Sequence, residues 1–267
     1  MTSRNTLAAP ATSAAPEAPA TFANPLPHRK VLQGVLAKNA SYGLAIFARD
    51  KRCAVVRRRY TFAYYDFLRG TYREAYFGGI LRSLTIGELG LVRRMAGCAP
   101  GPPQPDLRLL RSEGERVIYR YSEEDFDQAR AMLLICRAKV AGYDPAAGGN
   151  LTEEWTLPKG HLKELESGVG CAVRECREEL GLEVPPALVR DADFVEVHNS
   201  MTNGVTYISH YWPLVLPEAL QPPAIEAKGA EVCGRAWKTL DELATCMRGY
   251  NLAVIGEMAR GCGLLPN

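Results

Sequence analysis

Residues 160–182 read Gly-His-Leu-Lys-Glu-Leu-Glu-Ser-Gly-Val-Gly-Cys-Ala-Val-Arg-Glu-Cys-Arg-Glu-Glu-Leu-Gly-Leu, and this stretch decides the fold. Four apolar residues recur at the spacing of one helical face: Val169, Val173, Cys176 and Leu180. This spacing predicts a helix that turns one face into a core. Gly181 is placed to end the helix in a left-handed conformation, and Gly160 permits a tight turn before it.

The same stretch carries three closely spaced acids on another face of the predicted helix. Glu175, Glu178 and Glu179 are three and four residues apart, so their carboxylates project together. Such like charges repel one another unless cations lie between them, and hard carboxylate oxygens favour Mg²⁺ or Mn²⁺. Arg174 can hold a carboxylate of the loop or helix through a bidentate pair. The alternative is an ordinary solvated helix face. The agreement of glycines, arginine and acids favours a functional site.

These fixed positions resemble the Nudix box, the signature of Nudix hydrolases. The matching residues are Gly160, Glu166, Arg174, Glu175, Glu178, Glu179 and Gly181. The resemblance implies metal-assisted attack of water on a diphosphate that is linked to another group. It also implies that Glu175, Glu178, Glu179 and Arg174 are catalytic residues. Cys176 departs from the usual aliphatic residue at its position, but it is small and apolar enough to pack there.

Length and composition fit an enzyme with an added module. The chain has 267 residues, which can bury a full core and exceed a minimal Nudix domain, and a net charge of only +2. Its eight cysteines include no CxxC pair, which argues against a zinc site or a disulfide framework and predicts a reducing compartment. No long uncharged apolar run occurs, so we expect no membrane span. A cytoplasmic location is expected, in the host cytoplasm if the protein is viral.

The order of the predicted elements indicates an α/β fold with an interruption. Residues 1–35 are rich in Ala, Pro, Ser and Thr and predict a disordered tail. A transit peptide is the alternative, but arginine is sparse and the prolines oppose an amphipathic helix. Short apolar runs predict strands at 42–47 and 53–56, joined as a hairpin, and at 155–158, 194–197, 205–216 and 232–237. Helical spacing covers 67–76, 80–96, 123–141, 239–246 and 252–262, with Thr85 and Ser122 as N-caps. The prediction is a Nudix α-β-α sandwich at 36–59 and 141–267, with a helical insertion at 60–140 after the first hairpin.

The resemblance extends beyond the box to four further segments. They are Ser41-Tyr-Gly-Leu44, Arg57-Arg-Arg-Tyr60, Tyr65-Asp-Phe67 and Trp155-Thr-Leu-Pro-Lys-Gly160. Together they resemble the Nudix mRNA-decapping enzymes of large cytoplasmic DNA viruses, the African swine fever virus type, which is also described as a diphosphoinositol polyphosphate phosphohydrolase. This resemblance implies a helical insertion that helps to bind RNA. It also implies cleavage of a capped RNA into 7-methylguanosine diphosphate and 5′-monophosphate RNA. A homodimer through the insertion is a further expectation.

Several residues outside the helix receive roles from the resemblance. Glu231 precedes Trp237 by six residues and would bind metal or act as the general base, with Glu226 as a weaker competitor and a surface glutamate as the alternative. Lys159 and Lys163 would neutralise substrate phosphate oxygens.

An RNA track is expected from arginines of the insertion, above all Arg93 and Arg94. Its other candidates are Arg57 to Arg59, Arg69, Arg73 and Arg82. An ordinary charged helix face is the alternative. The candidates for stacking on a methylated guanine are Tyr42, Phe47, Tyr207, Tyr211 and Trp212.

Three functions compete at this point. The first is an mRNA-decapping pyrophosphatase. The second is a Nudix enzyme that acts on diphosphoinositol polyphosphates, dinucleoside polyphosphates or nucleotides, for which the box would be identical. The third is a non-catalytic RNA-binding or scaffolding protein, and the intact acids argue against it.

Overall fold

A computed structural model of the chain describes residues 22–23, 40–70, 72, 74–98, 123–191, 193–200, 206–216 and 231–266. Within these residues the strands are β1 (Phe22–Ala23), β2 (Ala40–Ala48), β3 (Cys53–Arg58), β4 (Trp155–Thr156), β5 (Lys159–Gly160), β6 (Val195–Ser200), β7 (Thr206–Leu216) and β8 (Val232–Lys238). The helices are α1 (Phe62–Arg69), α2 (Phe77–Ser83), α3 (Ile86–Met95), α4 (Glu123–Gly142), α5 (Pro145–Gly148), α6 (Gly168–Glu175), α7 (Leu240–Ala244) and α8 (Gly249–Gly261). Short 3₁₀ turns lie at Glu74–Tyr76 and Pro186–Leu188.

The described strands form one mixed sheet in the order β1-β6-β7-β2-β3-β4, with β5 added to β2 and β8 added to β3. β2 and β3 follow one another as the predicted hairpin, but they pair in register only at Phe47 and Cys53. Beyond that point β2 pairs in parallel with β7 along its whole length, from Ala40 opposite Ile208 to Ala48 opposite Leu216. The sheet therefore opens between β2 and β3. β5 on the β2 side and β4 on the β3 side occupy this opening, whereas β8 pairs along the outer edge of β3.

Helices cover both faces of this sheet, which confirms the predicted α/β class. One face packs against α6 through a core that includes Leu44, Val56 and Cys176. The other face packs against α7 and α8 through a second core that includes Phe47 and Ile255. Apolar side chains alternate between the two faces of β2, as expected for a strand that is buried on both sides.

Helices α1 to α4 enclose a third core of their own. It contains Tyr64, Phe67, Phe77 and Leu89, together with Cys136 of α4. The tyrosines of these helices are therefore mostly part of the core. Tyr64, Tyr65 and Tyr72 are buried, whereas Tyr76 is exposed.

Two helix boundaries in this region differ from the sequence prediction. A helix was predicted over 67–76, but α1 begins at Phe62 because the Thr61 side chain accepts from the Tyr64 N–H, and it ends at Gly70, which is left-handed with φ 64°. A single helix was predicted over 80–96, but Leu84 is extended and separates α2 from α3. Thr85 is the N-cap of α3, as predicted, in a capping box with Glu88.

Two polar side chains attach this helical region to the rest of the molecule. Asn150 Nδ2 donates to the carbonyls of Leu81 and Leu84, both at 2.7 Å, where α2 ends. Arg248, the N-cap of α8, donates to the Arg82 carbonyl at 3.1 Å and pairs with Glu154 at 3.2 Å. The carbonyls left unpaired at the end of α2 are thus satisfied by residues that follow α4 in sequence.

Parts of the sequence prediction fall outside the described residues. Of the predicted tail, Phe22–Ala23 pairs with β6 opposite Val197 and Glu196, and the remainder of residues 1–35 is outside. Ser122 and Glu226 also lie outside. No helix in the described ranges is long and apolar enough to cross a membrane.

Candidate active site

The box helix has the boundaries and the buried face that its sequence predicts. Ser167 caps α6 by accepting from the Gly170 N–H at 3.0 Å. The helix continues beyond Glu175 as a π-helical turn, Cys176–Leu180, and ends at Gly181, which is left-handed with φ 74°. Cys176 and Leu180 are buried, and Val169 and Val173 pack against the same core. The carboxylates consequently face away from this core.

Gly160 is required by a close approach rather than by the tight turn that was predicted. It is part of β5 and lies opposite Tyr42 of β2. A Cβ atom at this position would lie 2.1 Å from Glu175 Oε1. The backbone of β5 therefore forms one wall of the space that the Glu175 carboxylate occupies.

Arg174 organises the acids, and its bidentate pair is confirmed. Its Nε and Nη2 atoms donate to the two Glu166 oxygens at 2.8 and 2.9 Å. Its Nη1 atom donates to Glu175 at 2.5 Å and to Glu178 at 3.1 Å. The hydrogen bonds from Arg174 lower the pKa of Glu166 to about 2. One guanidinium thus ties the loop before α6 to two of the three box carboxylates.

Glu179 is the buried member of the cluster. It is 9% exposed, and its Oε2 atom accepts from the backbone N–H of Lys159 at 3.0 Å. Burial, together with the nearby charges of Glu231 and Glu175, raises the pKa of Glu179 to about 8, although Arg58 opposes the shift. Burial also raises the pKa of Glu175. The structure therefore brings Glu231 close to the box acids, although more than fifty residues separate them in sequence.

Two arginines that the sequence did not single out as site residues support these acids. Arg58 at the end of β3 is buried and pairs with Glu231. Arg235 on β8 donates from Nε to the Glu179 carbonyl and from Nη2 to the Glu178 carbonyl at 2.9 Å, which fixes the last turn of the box helix. Neither contact has a local sequence signal, because each joins segments that are far apart in sequence. Arg58 was visible only as one of three consecutive arginines.

The two predicted phosphate lysines have different surroundings. Lys163 is 64% exposed and lies 3.4 Å from Glu178 Oε1, at the solvent side of the acids. Lys159 Nζ donates to Ser209 Oγ at 3.1 Å and lies 5.6 Å from the Phe62 ring centre. Burial, with the charge of Arg58 adding to it, lowers the pKa of Lys159 to about 8. Both lysines border the cluster, and their contact with phosphate stays a prediction.

Several arginines of the predicted RNA track make contacts within the protein. Arg93 on α3 donates to the Tyr143 carbonyl, which joins α3 to the segment after α4. Arg57 pairs with Glu153 at 2.8 Å, and Arg58 is buried. Arg59 is exposed and Arg94 is partly exposed, and their contact with RNA remains a prediction. The side chains of Arg69 and Arg73 are outside the described part of the chain.

The predicted cap-stacking aromatics separate by burial. Phe47, Tyr211 and Trp212 are buried, whereas Tyr42 and Tyr207 are partly exposed. Tyr42 stacks on His210 with ring centres 5.1 Å apart and lies opposite Gly160, next to the acids. Of these five residues, Tyr42 and Trp212 both lie against the box helix at Gly168, and Tyr42 is the more exposed of the two.

The donor set fits a hard divalent cation. In the described ranges, no three His, Cys, Asp or Glu side chains already converge tightly enough to hold an ion together. The carboxylates are paired with guanidinium groups: Arg174 pairs with Glu175 and Glu178. Arg58 pairs with Glu231. These carboxylates together with Glu179 nevertheless provide only oxygen donors, which suits cations such as Mg²⁺ or Mn²⁺. Burial, with the charges of neighbouring carboxylates adding to it, raises the pKa of Glu175 and Glu179.

Comparison with known proteins agrees with this geometry. Residues 117–255 match the NUDIX domain family model, a span of just over half of the chain. The mRNA-decapping protein g5R of African swine fever virus, isolate Pig/Kenya/KEN-50/1950, is 24% identical over 205 residues, which are 70% of this chain and 77% of the viral protein. The same protein of isolate Warthog/Namibia/Wart80/1980 is 23% identical with the same coverage. A solved NUDIX hydrolase from Nitrosomonas europaea is 20% identical, with a TM-score of 0.33, over 43% of this chain and 79% of its own. The box, its buried helix face and the matched span show that this chain belongs to the Nudix hydrolases, a family of pyrophosphatases that generally use divalent metal ions.

Proposed function

We propose that the chain is a metal-dependent pyrophosphohydrolase that hydrolyses the 5′ cap of mRNA and releases 7-methylguanosine diphosphate and 5′-monophosphate RNA. One observation carries the proposal: the likeness to the viral mRNA-decapping proteins extends over 205 residues, far beyond the box that all Nudix enzymes share. The proposed location is the cytoplasm, the host cytoplasm if the protein is viral.

We propose Mg²⁺ or Mn²⁺ as the cofactor, held by Glu175, Glu178 and Glu179, with Glu231 beside them as the proposed base. A divalent ion bound there supplies a Lewis acid that lowers the pKa of water and offsets charge on phosphate oxygens. The oxygen-only donor set supports these two metals over Zn²⁺, which is usually held through nitrogen and sulfur ligands.

The remaining steps belong to the side chains of this protein. Glu231 is proposed as the general base that accepts the proton of the attacking water, because its carboxylate lies beside Glu179 at the start of β8. Lys163 is exposed next to Glu178 and is proposed to neutralise non-bridging phosphate oxygens. Lys159 is proposed to do the same from the interior side of the cluster. Arg174 keeps Glu175 and Glu178 oriented through its hydrogen bonds.

We propose that the helical region, α1 to α4, binds the RNA chain beyond the cap. The contacts of Arg93 and Arg94 decide which variant tests this proposal. Arg93 supports α3 through the Tyr143 carbonyl, so its replacement would mix folding with binding. Arg94→Glu is the cleaner variant. It should weaken binding of long capped RNA and flatten the log–log salt dependence by roughly one unit, while hydrolysis of a free cap dinucleotide barely changes. Equal losses on both substrates would contradict an RNA track at this position. The expected homodimer through the insertion is checked by light scattering.

The alternative substrate is a diphosphoinositol polyphosphate, or a dinucleoside polyphosphate or nucleotide. The acids would act identically on it, so only substrate preference separates the two proposals. We expect kcat/KM to be higher for long capped RNA than for a cap dinucleotide or an inositol pyrophosphate, measured side by side with Mn²⁺. A higher kcat/KM for the inositol pyrophosphate would replace the decapping proposal with the alternative.

A further inference from the structure

Arg58 lies between the proposed general base and the first helix of the helical region. Its side chain is only 2% exposed, and its Nη2 atom donates to Glu231 Oε1, whose own side chain is 23% exposed. The Arg58 guanidinium carbon lies 4.1 Å from the centre of the Phe62 ring, which provides a cation–π contact. Since a buried guanidinium is costly without partners, these two contacts fix where Arg58 can lie.

The strand that carries Arg58 also holds the backbone of Glu231. The Arg59 N–H donates to the Glu231 carbonyl at 2.9 Å, and Arg58 is in register with Val232 of β8. The register between β3 and β8 shifts between Arg57 and Arg58. Irregularities of this kind re-aim side chains, and here Arg57 reaches Glu153 while Arg58 reaches Glu231.

Phe62 in turn is held by two helices. It is the first residue of α1, and Thr61 before it accepts the first capping hydrogen bond. The buried Glu88 carboxylate of α3 accepts from the Thr61 N–H at 2.6 Å and from the Thr61 hydroxyl at 2.9 Å. Glu88 also accepts from the Thr85 N–H at 2.8 Å. The start of α1 is therefore fixed to the start of α3 by one carboxylate.

We propose that Arg58 is a positioning residue that holds Glu231 in its catalytic orientation, and that Phe62 makes this orientation depend on the helical region. This inference rests on the proposed role of Glu231. Through Phe62, α1 would help to orient Glu231 for every substrate. This includes small substrates that contact no other part of the helical region. Without the Arg58 contact, Glu231 keeps the backbone hydrogen bond from the Arg59 N–H.

Because Arg58 is positively charged, its loss is expected to affect cation binding and turnover in opposite directions. Arg58 adds a positive charge next to Glu231 and Glu179, where a divalent cation would add further positive charge. Replacing Arg58 with a neutral residue makes the acid cluster more negative, which favours cation binding. The same change releases the Glu231 carboxylate, which slows the reaction. Damage to the fold would weaken both cation binding and turnover.

The test compares Arg58→Met with Arg260→Met, the same substitution at an arginine of α8 whose partner is Glu257. Turnover is measured on a cap dinucleotide and an inositol pyrophosphate in parallel. Mn²⁺ binding without substrate is measured by electron paramagnetic resonance of the free ion. For Arg58→Met we expect kcat to fall about 10- to 100-fold with KM within about twofold, and Mn²⁺ affinity to stay equal or rise. Arg58→Lys should lie between the wild type and Arg58→Met, because lysine keeps the charge but not the planar fork. Arg260→Met should keep kcat within about twofold.

An unchanged kcat in Arg58→Met, or a parallel fall in kcat and Mn²⁺ affinity, would overturn the positioning role. Phe62→Ala provides a second route if Arg58→Met does not fold, with Phe62→Leu as its apolar control. We expect Phe62→Ala to lower kcat in the same pattern, and the double variant to be no slower than Arg58→Met, because both act through one contact. Additive losses would overturn the coupling to the helical region. The role of Arg58 can be tested with any compound that the wild type hydrolyses. The identity of that compound tests the proposed function, so the two proposals fail on different results.

Discussion

Adding one methyl group at Gly160 should disable the enzyme while leaving most of its fold in place. The Cβ of an alanine would lie 2.1 Å from Glu175 Oε1 and 2.2 Å from its carboxyl carbon, whereas ordinary contacts begin at 3.4 Å. The Glu175 carboxylate must therefore move by roughly 1 Å or more to restore an ordinary contact. Its hydrogen bond to Arg174, at 2.5 Å, opposes that movement.

The size of the loss follows from this displacement. A misplacement of about 1 Å in a catalytic constellation can lower turnover about 100-fold, so we expect Gly160→Ala to lower kcat by about that factor. Overpacking at such a site costs about 1–3 kcal/mol of stability. The variant should therefore still fold at 25 °C, with a lowered Tm.

The assay is steady-state hydrolysis of a cap dinucleotide with Mn²⁺, accompanied by thermal unfolding. Gly249→Ala is the matched control, because a Cβ at Gly249, the first residue of α8, would meet no atom within 4 Å. The control should keep wild-type kcat. A Gly160→Ala enzyme with wild-type kcat would show that Glu175 does not act from the position described.

Three further predictions concern the acids and their cation. Glu178→Gln and Glu179→Gln should nearly abolish hydrolysis with little change in circular dichroism, because each removes an anionic ligand but little volume; wild-type activity at saturating Mn²⁺ would contradict this. Chelation with EDTA should inactivate the enzyme, and Mg²⁺ or Mn²⁺ should restore it where Zn²⁺ does so poorly; full activity after exhaustive chelation would refute the metal requirement. Glu166 has its pKa lowered from 4.5 to about 2, so its pair with Arg174 stabilises the fold above pH 4.5 and loses this effect as pH falls towards 2. Glu166→Gln should lower Tm at pH 7, and the difference in Tm between this variant and the wild type should shrink below pH 4.5. A difference in Tm that stays constant with pH would contradict this role of the pair.

The parts of the site that the sequence predicts are those with local spacing. The buried face of α6, the N-terminal cap at Thr85 and the left-handed Gly181 each depend on residues within a few positions of one another. The fork of Arg174 on Glu166 spans eight positions, still within one loop and one helix turn. Such contacts follow from helix geometry, and the structure confirms them.

The parts that the sequence does not predict depend on strands that meet from far apart. Arg58 and Glu231 are separated by 173 positions and meet only because β8 pairs with β3. The parallel pairing of β2 with β7 is equally non-local. Within the helical region, periodicity alone could not reveal that the extended Leu84 separates two helices. The Arg93 contact with the Tyr143 carbonyl likewise joins segments 50 positions apart, which charge patterning along α3 cannot show.

The proposed reaction is attack of water on the triphosphate bridge of the cap, with the box acids holding the cation. The most direct measurement incubates RNA labelled in its cap with the enzyme and Mn²⁺, and identifies the released nucleotide by chromatography, with Glu178→Gln as the matched control. We predict that 7-methylguanosine diphosphate and 5′-monophosphate RNA are the products, and that the variant releases almost none. Release of 7-methylguanosine monophosphate, or no release from RNA while an inositol pyrophosphate is hydrolysed, would contradict it.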